Sequence, residues 1–195
     1  MIAAVILAAG ASSRMGTVKA LLPLEGETLL ARILRLARAG GAERLLVALG
    51  PPHGARLAAT LPPGPGIEVA WNEDPSRGML SSVQAALRVL AAAPGRGALL
   101  WPVDVPLVTA ATVQQLLAGD LSQLTAPCYA GRGGHPLWLP AALCPAVLAL
   151  PTSASLRTLR QSHPLRRIPV EDPGVLRDLD TPADFERALA ELPQR

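Results

Sequence analysis

Gly10 and Gly16 bracket Ala11, Ser12 and Ser13, and Arg14 and Lys19 place two positive charges in the same short stretch. Small residues let a backbone turn sharply and aim its N–H groups into one concavity, which binds anions and phosphate above all. Arg14 and Lys19 supply the positive charge that a polyphosphate needs. Leu7, Ala8 and Ala9 enter the loop from the apolar run Ala3 to Leu7, which reads as a central parallel strand covered on both faces. The stretch therefore reads as a nucleotide-phosphate site. It lacks the Gly-Lys-Ser/Thr ending of a P-loop, and Gly10-Ala11-Ser12 breaks the G-x-G of a dinucleotide fingerprint, so another nucleotide fold is implied. A signal peptide would need basic residues ahead of its apolar run, whereas Arg14 follows it.

Carboxylates make the second chemical set. Asp104 follows Leu99-Leu100-Trp101-Pro102-Val103, which reads as a buried strand, and projects from its end. Burying a carboxylate is costly unless a cation or donors satisfy it. Magnesium suits the position, because it takes one or two carboxylates plus phosphate oxygens; capping the following helix is the other use open to this residue. Asp178 and Asp180 flank Leu179, and alternation along an extended segment puts both on one side. They can hold a metal or simply start the helix after Thr181-Pro182. The run Asn72 to Ser82 mixes a turn with a helix start. Asn72, Gly78, Ser81 and Ser82 can meet a base and ribose, or serve the loop and the cap alone. His135, in Gly133-Gly134-His135-Pro136, can touch an acceptor substrate or lie in a surface turn.

The elements that must position these groups alternate between strand-like and helix-like, which argues for an α/β fold with a mainly parallel sheet. Thr28 is placed to cap a helix over residues 29–39, and Gly40-Gly41 to end it. Strands are expected over 44–49, 67–71, 97–103 and 165–170, and a strand-like stretch over 121–139 is broken by glycines. Helices are expected over 53–59, from Ser81 or Ser82 to 92, from Thr109 to 118, over 140–150 and 155–160, and after Thr181. In an open parallel sheet, ligands sit beyond the carboxyl ends of the strands, so the loops after Ala8, Asn72 and Asp104 should share one crevice.

The 195 residues suit a single domain over 1–195 with a full core. One Phe, one Tyr and three Trp are too few for a sheet that stacks single-stranded bases. The net charge of +3 is spread without a basic stripe, which suits a phosphorylated small molecule and requires no nucleic acid. Cys128 and Cys144 show no metal-ligand spacing, and two reduced structural thiols fit a cytoplasmic protein. No apolar run reaches membrane-spanning length.

In order along the chain, five segments resemble the MobA/MocA-type nucleotidyltransferases, which load a nucleotide onto molybdopterin. They are Leu7 to Gly16 with Lys19, Gly78-Met79-Leu80-Ser81-Ser82, Pro102 to Pro106, Gly134-His135-Pro136, and Asp178-Leu179-Asp180-Thr181-Pro182-Ala183-Asp184. The resemblance spans nearly the whole chain. It implies a Rossmann-like three-layer sandwich, a nucleotide-diphospho-sugar transferase-like fold, and a Mg2+-dependent transfer. An acceptor phosphate attacks the α-phosphorus of a nucleoside triphosphate, and pyrophosphate leaves.

Carried onto this chain, the resemblance has the Gly10 to Gly16 amides and Arg14 hold the pyrophosphate. Lys19 would neutralise charge at the α-phosphate. Asp104 and Asp180 would hold magnesium, with Asp178 in reserve. Leu7-Ala8-Ala9-Gly10 is similar to the cytidylyltransferase branch, whereas guanylyltransferases carry Leu-Ala-Gly-Gly, so CTP is favoured over GTP. Pro151 to Arg157 departs from the Gly-Asp pair of that branch. The implied partners are the triphosphate, molybdopterin and a recipient molybdoenzyme, with a monomer expected. A sugar phosphate or another phosphorylated acceptor is the rival substrate. A maturation factor without turnover is the rival class.

Overall fold

The apolar run Ile2–Leu7 forms β1, and its last five residues are buried, as a strand covered on both faces must be. The computed structural model describes residues 1–10, 15–62, 66–151 and 154–191. A 3-10 turn at Lys19–Leu21 precedes a hairpin of β2 (Pro23–Leu24) and β3 (Glu27–Thr28), which the periodicity does not announce. Helix α1 (Leu29–Ala39) follows, and the Thr28 hydroxyl accepts the Ala31 N–H at 3.1 Å, the expected cap. Next come β4 (Arg44–Leu49), α2 (Gly54–Ala58) and β5 (Ile67–Trp71).

Helix α3 (Met79–Ala91) starts earlier than expected, before Ser81. Gly78 adopts φ +89°, a conformation L-residues avoid, and makes the turn into the helix itself. Ser81 is thereby carried into the first turn, where its hydroxyl donates to the Gly78 carbonyl at 2.7 Å. After β6 (Gly97–Pro102), α4 (Ala110–Ala118) opens at Thr109, as its sequence indicates. The glycine-broken stretch becomes β7 (Thr125–Tyr129), β8 (Arg132–Gly133) and β9 (Leu137–Pro140). The helix expected over 140–150 is shorter. Pro140 still belongs to β9, a 3-10 turn covers Ala141–Leu143, and α5 is Cys144–Ala149. Helix α6 (Leu156–Ser162), β10 (Arg166–Pro169) and α7 (Pro182–Glu191) follow.

The main sheet runs β10-β7-β9-β6-β1-β4-β5, with β8 paired to β7. Strands β6, β1, β4 and β5 are mutually parallel, and β9 is antiparallel to its neighbours β6 and β7. Leu7 pairs with both Ala48 and Pro102, and Leu49 pairs with Trp71. That register ends four parallel strands along one edge. The chain lays β4 and β5 on one side of β1 and then returns to place β6 on the other. The loops after β1 and β6 consequently part at a switch point, where such sheets bind ligands.

Helices cover both faces. On one, Ile33 and Leu36 of α1 and Val113 and Leu116 of α4 belong to the core of Ile6, Val47, Leu99 and Trp101. On the other, Val83 and Leu87 of α3, Val147 of α5 and Leu159 of α6 join Val5, Leu46 and Leu100. Each such fully buried aliphatic side chain contributes about 1.5–3 kcal/mol relative to exposure. A third cluster sets Leu179 and Ala188 against Leu24 and Leu29, so the C-terminal segment packs on the β2–β3 hairpin. Among the described residues no helix is long and apolar enough to cross a membrane.

Candidate active site

A cavity of about 300 Å³ opens at the switch point. Leu7, Ala8, Ala9 and Gly10 from the end of β1 line it, as do Pro102, Val103 and Asp104 from the end of β6. Backbone bonds from Ala8 N to Ala48 O (3.0 Å) and from Val103 N to Leu7 O (3.1 Å) extend the ladder one residue past each strand. Buried Trp101 then donates its indole N–H to Val105 O at 2.8 Å, which closes the turn that presents Asp104.

Lys19 is the positive centre among the described residues of the cavity. It lies on the 3-10 turn after the loop and is 8 % exposed. Its Nζ donates to Asp180 Oδ1 at 2.7 Å and reaches Asp104 Oδ2 at 3.5 Å. Both acids also line the cavity, each with 29 % of its side chain exposed. Three residues that are far apart in sequence therefore meet at one ammonium group.

Asp178 and His135 border this cluster electrostatically. Partial burial pushes the Asp178 carboxyl above its ordinary range, and the charge of Asp104 adds to the shift. Burial holds the His135 imidazole below its ordinary value, against the opposing pull of Asp178 and Asp104. Its Nδ1 is buried without a hydrogen-bond partner. The backbone N–H of His135 donates to Val175 O at 2.9 Å. Gly134 lies so close to Val175 that a Cβ there would strike its carbonyl.

The other expected residues divide. Gly78 and Ser82 line the cavity, together with Leu57, Pro75 and Met79, whose types gave no signal. Asn72 and Ser81 stand behind that wall. Asn72 Nδ2 donates to Ser81 Oγ at 2.8 Å and to Ser82 Oγ at 2.9 Å, and all three residues are buried. Gly16 is exposed and is not part of the lining. Ala11, Ser12, Ser13 and Arg14 lie outside the described residues, so the expectations for them do too.

The oxygen set fits a hard divalent cation. Two carboxylates open to one cavity, with Asp178 close enough to feel Asp104, and Lys19 is their positive partner among the described residues. Carboxylates open to a cavity suit Mg2+ or Mn2+, which take one or two of them and complete their shell with water and phosphate oxygens. No cluster of three or more His, Cys, Asp or Glu side chains able to hold a metal forms among the described residues.

Known proteins resemble this chain in sequence and in fold. A molybdenum cofactor guanylyltransferase of Xanthomonas euvesicatoria is 32 % identical, over 97 % of this chain and 95 % of its own. A molybdenum cofactor cytidylyltransferase of Escherichia coli is 27 % identical, over 93 % and 92 %. A "Probable molybdenum cofactor guanylyltransferase" of Opitutus terrae is 36 % identical over 132 residues, which span 68 % of this chain and 58 % of that one. Among solved structures, Rv0371c of Mycobacterium tuberculosis in complex with manganese superposes with a TM-score of 0.74 at 30 % identity, over 98 % of this chain and 99 % of that one. The model of the MobA-like NTP transferase domain matches residues 4–168, which include most of β1, Lys19 and Asp104, and the chain belongs to that family of nucleotidyltransferases.

Proposed function

We propose that residues 1–195 act as one nucleotidyltransferase domain that transfers CMP from CTP to the phosphate of molybdopterin and releases pyrophosphate. The observation that carries this reading is the convergence of Lys19, Asp104 and Asp180 on one cavity at the β1/β6 switch point. An acceptor phosphate oxygen attacks the α-phosphorus, the bond to the bridging oxygen breaks, and the electron pair leaves with pyrophosphate. No protein nucleophile is needed, because positioning and charge stabilisation supply the rate.

Each part of the site has one task in this reading. The loop from Gly10 to Gly16, with Arg14, holds the β- and γ-phosphates. Lys19 neutralises charge that grows on the α-phosphoryl oxygens. Asp104 and Asp180 would hold Mg2+, which would supply Lewis-acid stabilisation of phosphate charge. Gly78 and Ser82 face the nucleoside, and the Asn72–Ser81–Ser82 bonds hold that wall rigid. His135 and Asp178 stand on the acceptor side. Names of relatives support both bases. Ala9 favours CTP, because its methyl group narrows the cavity wall where guanylyltransferases have glycine. The manganese bound by the related mycobacterial protein supports use of a divalent cation.

The protein would work as a cytoplasmic monomer and pass its product to a molybdoenzyme. The test offers CTP, GTP, ATP and UTP separately with Mg2+ and molybdopterin and measures pyrophosphate release. CTP is expected to react fastest. Release with no pairing would sink the cofactor reading, whereas preference for GTP would overturn the choice of base alone.

A further inference from the structure

The reaction just described leaves one buried acid unused. Asp172 is 7 % exposed, and four donors converge on its carboxylate. Oδ2 accepts from Thr109 N at 2.9 Å, from Thr109 Oγ1 at 3.0 Å and from Thr112 Oγ1 at 2.6 Å, and Oδ1 accepts from Gly174 N at 2.9 Å. Only the last bond is needed to cap its own 3-10 turn, Pro173–Leu176. The other three reach across to the start of α4, the element that follows the Asp104 loop.

Backbone contacts extend the same link into the site. Gly174 presses against the Leu107 carbonyl. Val175 O accepts the His135 N–H, and Leu179 N donates to Asp104 O at 2.7 Å. The segments carrying Asp104, His135 and the Asp178–Asp180 pair are therefore laced together through main chain, and Asp172 ties the lacing at its buried end. A carboxylate satisfied by neutral donors in a buried place is conformationally exacting.

We propose that Asp172 is a positioning residue that sets the spacing of Asp104 and Asp180. It touches neither substrate nor metal and acts through the 104–109 and 173–180 segments. The proposal rests on the metal reading given above. An amide at this position offers hydrogens where the site offers donors, so Asp172→Asn disrupts the link at constant size.

The test compares Asp172→Asn and Thr112→Val with Gln84→Met, using Mn2+ affinity of the nucleotide-free protein by electron paramagnetic resonance and the kinetics of pyrophosphate release. Gln84→Met is the structural control. It removes two buried bonds, from Gln84 Nε2 to Val147 O (3.1 Å) and to Leu150 O (2.9 Å), on the opposite face of the sheet. Asp172→Asn should weaken Mn2+ binding and lower kcat by about tenfold each, as loss of a ligand-orienting partner does, while the KM for triphosphate stays within about threefold. Thr112→Val should move both quantities the same way by less, and Gln84→Met should move neither.

Equal effects of Asp172→Asn and Gln84→Met would overturn the proposal, as would a change confined to KM. If Asp172→Asn does not fold, Thr112→Val decides. If Asp104→Asn binds Mn2+ as the wild type does, the metal reading is what fails, and positioning is then judged on kcat alone.

Discussion

Replacing Asp104 by alanine removes one carboxylate within reach of Lys19 Nζ but no core contact. Turnover should fall by about a hundredfold or more, the scale of losing a principal electrostatic group, while the thermal melt stays close to wild type. Normal turnover in this variant would dismiss the metal assignment. Ala9 is buried in the cavity wall, and Ala9→Gly should shift the ratio of kcat/KM values toward GTP by about tenfold at most, because one methyl group discriminates weakly. Titration adds a third expectation. The folded pKa of His135 lies below its unfolded value because burial disfavours the imidazolium, so below the ordinary histidine range the unfolded chain binds the extra proton. Stability is then full above about pH 6.5 and falls as the pH drops toward the lowered folded value. Melting curves of His135→Gln should be flatter over that interval, and an unchanged slope would contradict the buried neutral imidazole. At this scale the sequence marked Lys19, Asp104, Asp178, Asp180 and His135 by type alone. It passed over Asp172, because Asp-Pro-Gly is an ordinary turn signal and its partners Thr109 and Thr112 lie 63 and 60 residues away.

Helices and strands were most legible where their ends are chemically punctuated. The bounds of α1, β4, β5 and α4 coincide with their sequence signals, since a threonine cap, a glycine stop and an apolar period all act within a few residues. Thr28→Ala should therefore lower stability by about 1 kcal/mol, measurable as a shift of the urea midpoint without a change in its slope. Two elements escaped for opposite reasons. The β2–β3 hairpin is too short to have a period, and it is held by the Leu24, Leu29 and Leu179 cluster. Helix α3 carries two serines that resemble caps, but Gly78 takes the cap position and the serines bond to Asn72 instead. That exchange leaves Asn72 and Ser81 bonded to one another behind the lining residue Ser82.

Over the whole molecule, charge is unevenly placed. Residues 121–170 contain five arginines and no Asp or Glu, and they build β7, β9, β10, α5 and α6, one end of the sheet. The net charge of +3 comes from that end, because the remaining residues hold more acids than bases. The net positive charge attracts anions to the molecule and is screened over a Debye length of about 8 Å at physiological salt. The kcat/KM for triphosphate should accordingly fall as salt rises, and a flat dependence would deny steering. By itself the sequence determined the alternation of strand and helix, the small-residue loop after β1 and the acids at strand and segment ends, because these follow from periodicity, capping and local turn chemistry. Tertiary structure alone decided that β6 lies beside β1, that residues 178–180 return to the Asp104 turn, and that Lys19 meets two acids 85 and 161 residues away. Those adjacencies depend on strand order and on the burial of apolar faces against one another, which no local stretch of chain encodes.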